Sequence, residues 1–234
     1  MKLAVVPARG GSKRIPRKNI REFCGKPIIA WSIAAAKNAG IFDKVIVSTD
    51  DEEIASIARY YGAETPFIRP KDLADDFTGT NEVVKQAIQW FREQGELVEM
   101  ACCIYATAPF VQPIYLTEGY NKLITSSKSF AFSVTTFPFP IQRALRINQE
   151  ESVEAICPEN INVRSQDLEE AYHDAGQFYW GTADAFIDGV VIYSSESIPI
   201  ILPRYLVQDI DTLEDWKRAE LMFQALVERR EVAG

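Results

Sequence analysis

The chain has 234 residues, of which 47% are hydrophobic and 25% charged, and its formal net charge is -8. At this length roughly 70–75% of the unfolded surface can be buried, so a core forms without disulfide or metal staples. The acidic balance argues against a nucleic-acid or anionic-membrane binder, and no run of about 18 apolar residues is present to span a bilayer. The apolar stretch at residues 3–7 is too short for a signal peptide. The four cysteines (Cys24, Cys102, Cys103, Cys157) lack C-x-x-C and metal-ligand spacing. A cytoplasmic protein is expected.

Apolar runs alternate with helical patterns through the first half. Residues 3–6 read as a buried strand, and 27–38 as a helix with Pro27 in its first turn and Gly40 just beyond its end. A strand is predicted at 44–48, then a helix to Tyr61 capped by Asp50 or Asp51 and closed by Gly62, then a third strand at 64–68. Thr80 is placed to cap a helix to Gln94, stopped by Gly95 before a strand at 101–105. This β-α-β-α order with short connections predicts a Rossmann-like, mostly parallel sheet with helices on both faces. The second half breaks the rhythm. A helix is predicted at 113–126, strands at 130–137, near 178–180 and at 198–202, and a last helix at about 212–229 with Trp216, Ala219, Met222, Phe223 and Leu226 on one face. Residues 148–174 are polar and poorly periodic, so loops are expected there. No linker divides the chain, and a single α/β domain is expected, with an arm at about 138–175.

Residues 9–21 read R-G-G-S-K-R-I-P-R-K-N-I-R. Arg9, Lys13, Arg14, Arg17, Lys18 and Arg21 place six of the chain's 25 basic residues in this stretch of an otherwise acidic protein. The loop leaves the carboxyl end of the first strand, where open α/β sheets place their ligands. Gly10 and Gly11 are expected to let the backbone approach an anion, and the lysine and arginine side chains match phosphate oxygens. Neither G-x-x-x-x-G-K-[ST] nor G-x-G-x-x-G is present, so a polyphosphate would be held chiefly by side chains.

The stretch P-A-R-G-G-S-K-R-I-P-R-K-N at 7–19 resembles the signature of the CMP-sialic acid synthetase (acylneuraminate cytidylyltransferase) family. The likeness continues through V-S-T-D at 47–50, F-I-R-P at 67–70 and Q-D-I-D-T at 208–212. The resemblance implies a nucleotidyltransferase fold in which Arg9, Gly10, Gly11, Ser12, Lys13, Lys18 and Asn19 bind CTP and Arg69 lies near the cytosine. It also implies that Arg9 and Lys18 act in catalysis.

Asp209 and Asp211 are two apart, so on an extended segment both carboxylates face one side. Such a pair can share Mg²⁺ with substrate phosphates, although Asp211-Thr212-Leu213-Glu214 also reads as a helix-capping pattern. The resemblance implies the metal role, with Asp209 and Asp211 as catalytic ligands.

Two segments depart from the sialic acid branch. Where that branch has L-Q-P-T-S-P, this chain has I-Y-A-T-A-P at 104–109, with Tyr105 in place of the glutamine. Where it has R-P-N-G, this chain has H-D-A-G at 173–176, followed by Q-F-Y-W. Both stretches look like the pseudaminic acid cytidylyltransferase branch. A tyrosine offers one hydroxyl and an apolar ring where glutamine offers an amide, which suits a sugar with a deoxy or methyl-bearing face. Thr80, Tyr105, His173, Gln177 and Tyr179 are the candidate sugar contacts, with Tyr179 facing the ligand and Phe178 and Trp180 in the core. The resemblance further implies a homodimer in which Arg164 reaches the partner's site.

The expected reaction is transfer of CMP from CTP to a nonulosonic acid, pseudaminic acid by the resemblance above, with the sugar's anomeric hydroxyl attacking the α-phosphorus and pyrophosphate released; no serine, cysteine or histidine triad is in evidence. The alternatives are activation of legionaminic or N-acetylneuraminic acid, and a non-catalytic nucleotide-binding protein. The intact acidic pair speaks against the latter.

Overall fold

The computed structural model describes residues 1–74 and 78–232, apart from the side chains of 229–232. In chain order its elements are β1 (Lys2–Pro7), β2 (Glu22–Phe23), β3 (Lys26–Pro27), α1 (Ile28–Ala39), β4 (Lys44–Ser48), α2 (Glu52–Tyr60), α3 (Thr80–Glu93), β5 (Met100–Ile104), α4 (Pro113–Ile124), β6 (Phe130–Thr136), β7 (Leu145–Ile147), β8 (Val153–Ala155), β9 (Tyr172–Thr182), α5 (Ala183–Asp188), β10 (Ser197–Ile201) and α6 (Leu213–Val232). Six strands form one sheet in the order β10-β6-β9-β5-β1-β4. All its pairs are parallel except those of β9, which runs antiparallel between β5 and β6. The mostly parallel α/β architecture expected from the sequence is present. No helix among the described residues is long and apolar enough to cross a membrane.

Period-two alternation along β1 assigns the two faces. Ala4 and Val6 join Ile29 and Ile33 of α1 and Leu116 and Leu123 of α4 in one buried cluster. Leu3 and Val5 point the other way, against Val84, Ile88 and Phe91 of α3 and Phe186 of α5. Both faces of the strand are buried, which explains its continuous apolar run.

A third cluster sets the geometry of the site. Ile15 from the basic loop, Phe23 of β2, Ile28, Phe110, Ile210, Trp216 and Ala219 are buried together, with Phe223 of α6 packed edge-on against Phe23. Ile15 and Ile210 are both completely buried. The loop after the first strand and the acidic segment before the last helix are therefore pinned to one another through their apolar residues, although about 195 positions of chain separate them.

Several expectations are corrected. Residues 64–68 do not form a strand; only Glu64 bridges Ile46, because Pro66 lacks the N–H that a ladder needs. Thr80 is the first helical residue of α3, and Gly79 occupies the cap position. Asp51, not Asp50, caps α2, accepting from Ile54 N at 3.0 Å. The loop-rich region contains the β7–β8 hairpin, turned at Glu151 with φ 60°. The strand near 178–180 is 11 residues long and begins at Tyr172, so His173 lies on a strand and not in a loop.

That strand carries a wide bulge. Phe132 pairs with Tyr179 but Val134 pairs with Asp174, so residues 175–178 face only Ser133. Gly176 takes φ 62°, and the buried Ser133 hydroxyl accepts from Phe178 N at 3.2 Å in place of a ladder bond. Bulges re-aim side chains beside functional sites, and this one turns Asp174 and Gly176 toward a cavity.

Beyond the bulge the ladder is tight. A Cβ on Gly181 would lie 2.5 Å from Cε1 of Phe130 and 2.7 Å from Cε2 of Phe186, both essentially fully buried. Gly181→Ala is expected to destabilise the protein by roughly 1–3 kcal/mol, because two enclosed rings must shift. A thermal melt should show Tm lower by roughly 3–10 °C; an unchanged Tm would mean the rings move freely.

Candidate active site

Two cavities adjoin at the carboxyl ends of β1 and β5, where the strand order reverses and open α/β sheets bind ligands. The first, of about 500 Å³, is lined by Pro7, Arg9, Ser12, Lys13, Arg14, Lys18 and Asn19 from the loop after β1. Arg69, Thr80, Tyr105 and Thr107 complete it. The second, of about 550 Å³, is lined by Tyr105, Thr135, His173, Asp174, Gly176, Arg204, Gln208, Asp209 and Arg218, among others. Tyr105 is common to both.

The basic loop is braced from several sides. Asn19 donates to the Arg9 carbonyl at 2.9 Å, and Arg17 clamps the loop to the start of α2 through Asp51 and Glu53. Gly10 serves this packing as well: its N–H donates to Asp50 at 2.9 Å, and a Cβ there would lie 2.8 Å from an Asp51 carboxylate oxygen. The glycine is thus needed for contact with α2, and its N–H is not free for an anion. Gly11 is exposed and faces open space.

Lys18 joins the two ends of the chain. Its ammonium donates to the Ile210 carbonyl and lies 3.5 Å from Asp211, while Arg14 pairs with Asp211 at 2.6 Å. Arg69 is buried with its guanidinium on the Ser48 hydroxyl (3.0 Å) and carbonyl. Burial pulls its pKa down to about 10, with Asp50 opposing, so it stays charged near neutrality.

The capping alternative for Asp211 is resolved by Thr212. The Thr212 hydroxyl accepts from Asp215 N at 3.1 Å, and Asp215 accepts in return from Thr212 N at 2.8 Å, a reciprocal cap one residue further along. Asp211 is left to face the basic loop. The Asp209 carboxyl is pushed above the ordinary carboxylate range, first by the protein crowding it and then by the charge of Asp211. A cation placed between the two would relieve that repulsion. No cluster of three or more His, Cys, Asp or Glu side chains that could hold a metal ion is present among the described residues; the two carboxylates of Asp209 and Asp211 are what this segment supplies.

The sugar-directed expectations divide. Thr80 and Tyr105 line the first cavity, Tyr105 and His173 the second. Gln177 lines neither; it is buried and donates to the Leu206 carbonyl at 2.5 Å. Tyr179 is also buried, behind the cavity wall, and its hydroxyl donates to Asp174, which leaves its oxygen to accept from Tyr105. Tyr105 in turn hydrogen-bonds Thr80. Arg164 is exposed on the arm, paired with Asp167 at 2.7 Å, and lines neither cavity of its own protomer.

Asp174 escaped the sequence reading as a site residue. Its carboxylate accepts from Tyr179, from Tyr193 at 2.7 Å and from Gly176 N at 2.8 Å, anchoring a relay from Thr80 through Tyr105 to the floor of the second cavity. The D-A-G turn was a signal for it, since aspartate two before a left-handed glycine is a common turn closure.

The two cysteines of β5 are not poised as nucleophiles. Burial pushes the Cys103 thiol up to about 12 and Cys102 well above its ordinary value, so neither forms thiolate near neutrality. An open α/β sheet carrying a braced basic loop at its switch point, with Asp211 paired to that loop and Asp209 two residues before it, has the arrangement of a nucleotidyltransferase. The cytidylyltransferase family model matches residues 3–221, and the chain belongs to the cytidylyltransferase family. It is 46% identical over 222 residues to the pseudaminic acid cytidylyltransferase of Campylobacter jejuni, covering 95% of this chain and 96% of that one. The CMP-N,N'-diacetyllegionaminic acid synthase of Legionella pneumophila is 32% identical, over 96% of this chain and 99% of that one. Among solved structures, CMP:2-keto-3-deoxy-manno-octonic acid synthetase complexed with CTP shares the fold. Its TM-score is 0.69 at 13% identity, with 96% of this chain and 98% of that one covered.

Proposed function

We propose that this protein transfers CMP from CTP to pseudaminic acid and releases pyrophosphate. The observation that carries the reading is the pair of adjoining cavities, one walled by phosphate-matching cations and the other reaching Asp209, with Tyr105 between them. The 46% identity to a pseudaminic acid enzyme over nearly the whole chain supports the choice of sugar, against 32% for a legionaminic acid enzyme.

Arg9, Lys13 and Lys18 bind the polyphosphate, and Arg69 fixes the base end of the nucleotide from beneath. The sugar lies in the second cavity with its anomeric hydroxyl toward the α-phosphorus. The hydroxyl oxygen forms the new bond to phosphorus, its proton passing to solvent, as the bond to the β-phosphate oxygen breaks in line, and the charge of the leaving pyrophosphate is met by Arg9, Lys13 and Lys18. Positioning and electrostatics supply the rate, as in phosphoryl transfer generally. Asp209 and Asp211 fit Mg²⁺, which when bound supplies charge neutralisation at the phosphates and lowers the pKa of a coordinated hydroxyl.

The chain is read as a single cytidylyltransferase domain acting in the cytoplasm as a homodimer. The arm at 138–175 supports the dimer, since Phe139, Leu145, Ile147 and Val153 are exposed on it and an apolar surface of this kind is suited to burial against a partner. Arg164 of this arm is read as completing the partner's sugar site.

The test is pyrophosphate release from CTP with a panel of nonulosonic acids, alongside light scattering. Pseudaminic acid should give the highest kcat/KM, and the active species should be a dimer. A higher kcat/KM with legionaminic or N-acetylneuraminic acid would overturn the choice of sugar, and tight CTP binding without release would overturn catalysis.

A further inference from the structure

The second cavity contains two arginines that no motif marked. Arg204 opens the short turn Arg204–Leu206 after β10, and Arg218 lies in the second turn of α6, so they bracket Asp209 and Asp211 in sequence and line the same cavity as Asp209. They are the two arginines that line this cavity, and like Arg21, Arg69 and Arg143 they hold no carboxylate within 4 Å among the described residues. Arg17, Arg59, Arg92, Arg146 and Arg164 each hold a carboxylate within 4 Å. Among the described residues Arg204 makes only a long hydrogen bond, 3.4 Å, to the Phe137 carbonyl. Arg218 feels the charge of Asp215 one turn earlier but forms no ion pair within 4 Å among the described residues.

Resting on the functional reading above, we propose that Arg204 and Arg218 hold the carboxylate of the acid sugar and select for it. The chemistry of an ulosonic acid requires such a group at this place. Its anomeric carbon carries both the hydroxyl that attacks phosphorus and the carboxylate, so whatever binds the carboxylate must stand beside the acidic pair. Bringing that anion up to Asp209 is repulsive unless fixed positive charge accompanies it. A guanidinium fork is matched to a carboxylate, and two of them without a protein carboxylate partner present that match in advance. Asp174, the other carboxylate in the wall, does not compete for them, because Tyr179, Tyr193 and the Gly176 N–H already satisfy it.

The experiment is steady-state pyrophosphate release by wild type, R204Q, R218Q and the double variant, with the acid sugar and with its neutral C1 carboxamide. Each single variant should raise KM for the acid on the order of ten- to a hundredfold, as for a lost hydrogen bond to a charged group, and leave KM for CTP unchanged. The wild-type preference for acid over carboxamide should collapse in the double variant, and R204K and R218K should each recover part of it. Unchanged sugar KM, or an acid preference surviving in folded double variant, would overturn the assignment while leaving the reaction intact. A wild-type enzyme that turns over no acid sugar would overturn the functional reading, and this one with it. Should R218Q fail to melt cooperatively, R204Q and R218K decide the matter, since neither empties the helix position.

Discussion

Arg9→Ala should lower kcat by about two to three orders of magnitude, the loss expected when one preorganised donor facing developing charge is removed. Arg9 lies just past β1 in the wall of the phosphate-lined cavity, between buried Ala8 and the bracing hydrogen bond from Asn19. That bond is received by the Arg9 backbone carbonyl, so truncating the side chain leaves it in place. Ile15 and the third cluster are likewise untouched, and the melting curve should be close to wild type. Pyrophosphate release by the purified variant checks this, and a kcat near wild type would remove Arg9 from the reaction.

Asp211→Asn and Asp209→Asn should each cause a large rate loss together with a raised Mg²⁺ requirement, because metal-borne charge stabilisation is worth several kcal/mol. Stability should respond differently. The cap of α6 belongs to Thr212 and Asp215, so the amide at 211 leaves the helix start intact. What it loses is an ion pair to the largely exposed Arg14, of a kind that contributes about 0–1 kcal/mol, and a longer one of 3.5 Å to the mostly buried Lys18, so Tm should fall slightly. At 209 the sign is opposite. A carboxyl with a raised pKa is ionised at a cost in the folded state, so above its folded pKa a neutral amide relieves that cost, and Tm should hold or rise slightly at neutral pH. Pyrophosphate release titrated with Mg²⁺, with melts alongside, separates the outcomes. Wild-type rates and Mg²⁺ dependence in both variants would make the pair structural.

The elements with strong local signals were legible from the chain alone. The apolar run of β1, the Gly40 stop of α1 and the amphipathic pattern of α6 all describe structure set within a few residues. The basic loop was legible for the same reason, since local excess of charge needs no knowledge of the fold. What was not legible depends on distant partners. Gly10 looked like a ligand contact, and only the packing of α2 against it shows that its N–H belongs to Asp50. Tyr179 was expected to face ligand from alternation along its strand; it does point away from Phe178 and Trp180, but that opposite face is itself a buried cluster, which leaves Tyr179 behind the wall. Arg204 and Arg218 carry no spacing signal at all, because a turn and a helix place them on one cavity only in the folded chain. The pinning of Ile15 to Ile210 is of the same kind, and it is what turns two separated charge patterns into one site.

Direct transfer from CTP to the sugar is tested most simply by rapid-quench measurement of pyrophosphate, first with CTP and Mg²⁺ alone and then with pseudaminic acid added. The expected result is no release until the acid is present, followed by equimolar pyrophosphate and CMP-linked sugar. A burst of pyrophosphate from CTP alone, equal to the enzyme concentration and leaving CMP bound covalently to the protein, would contradict it.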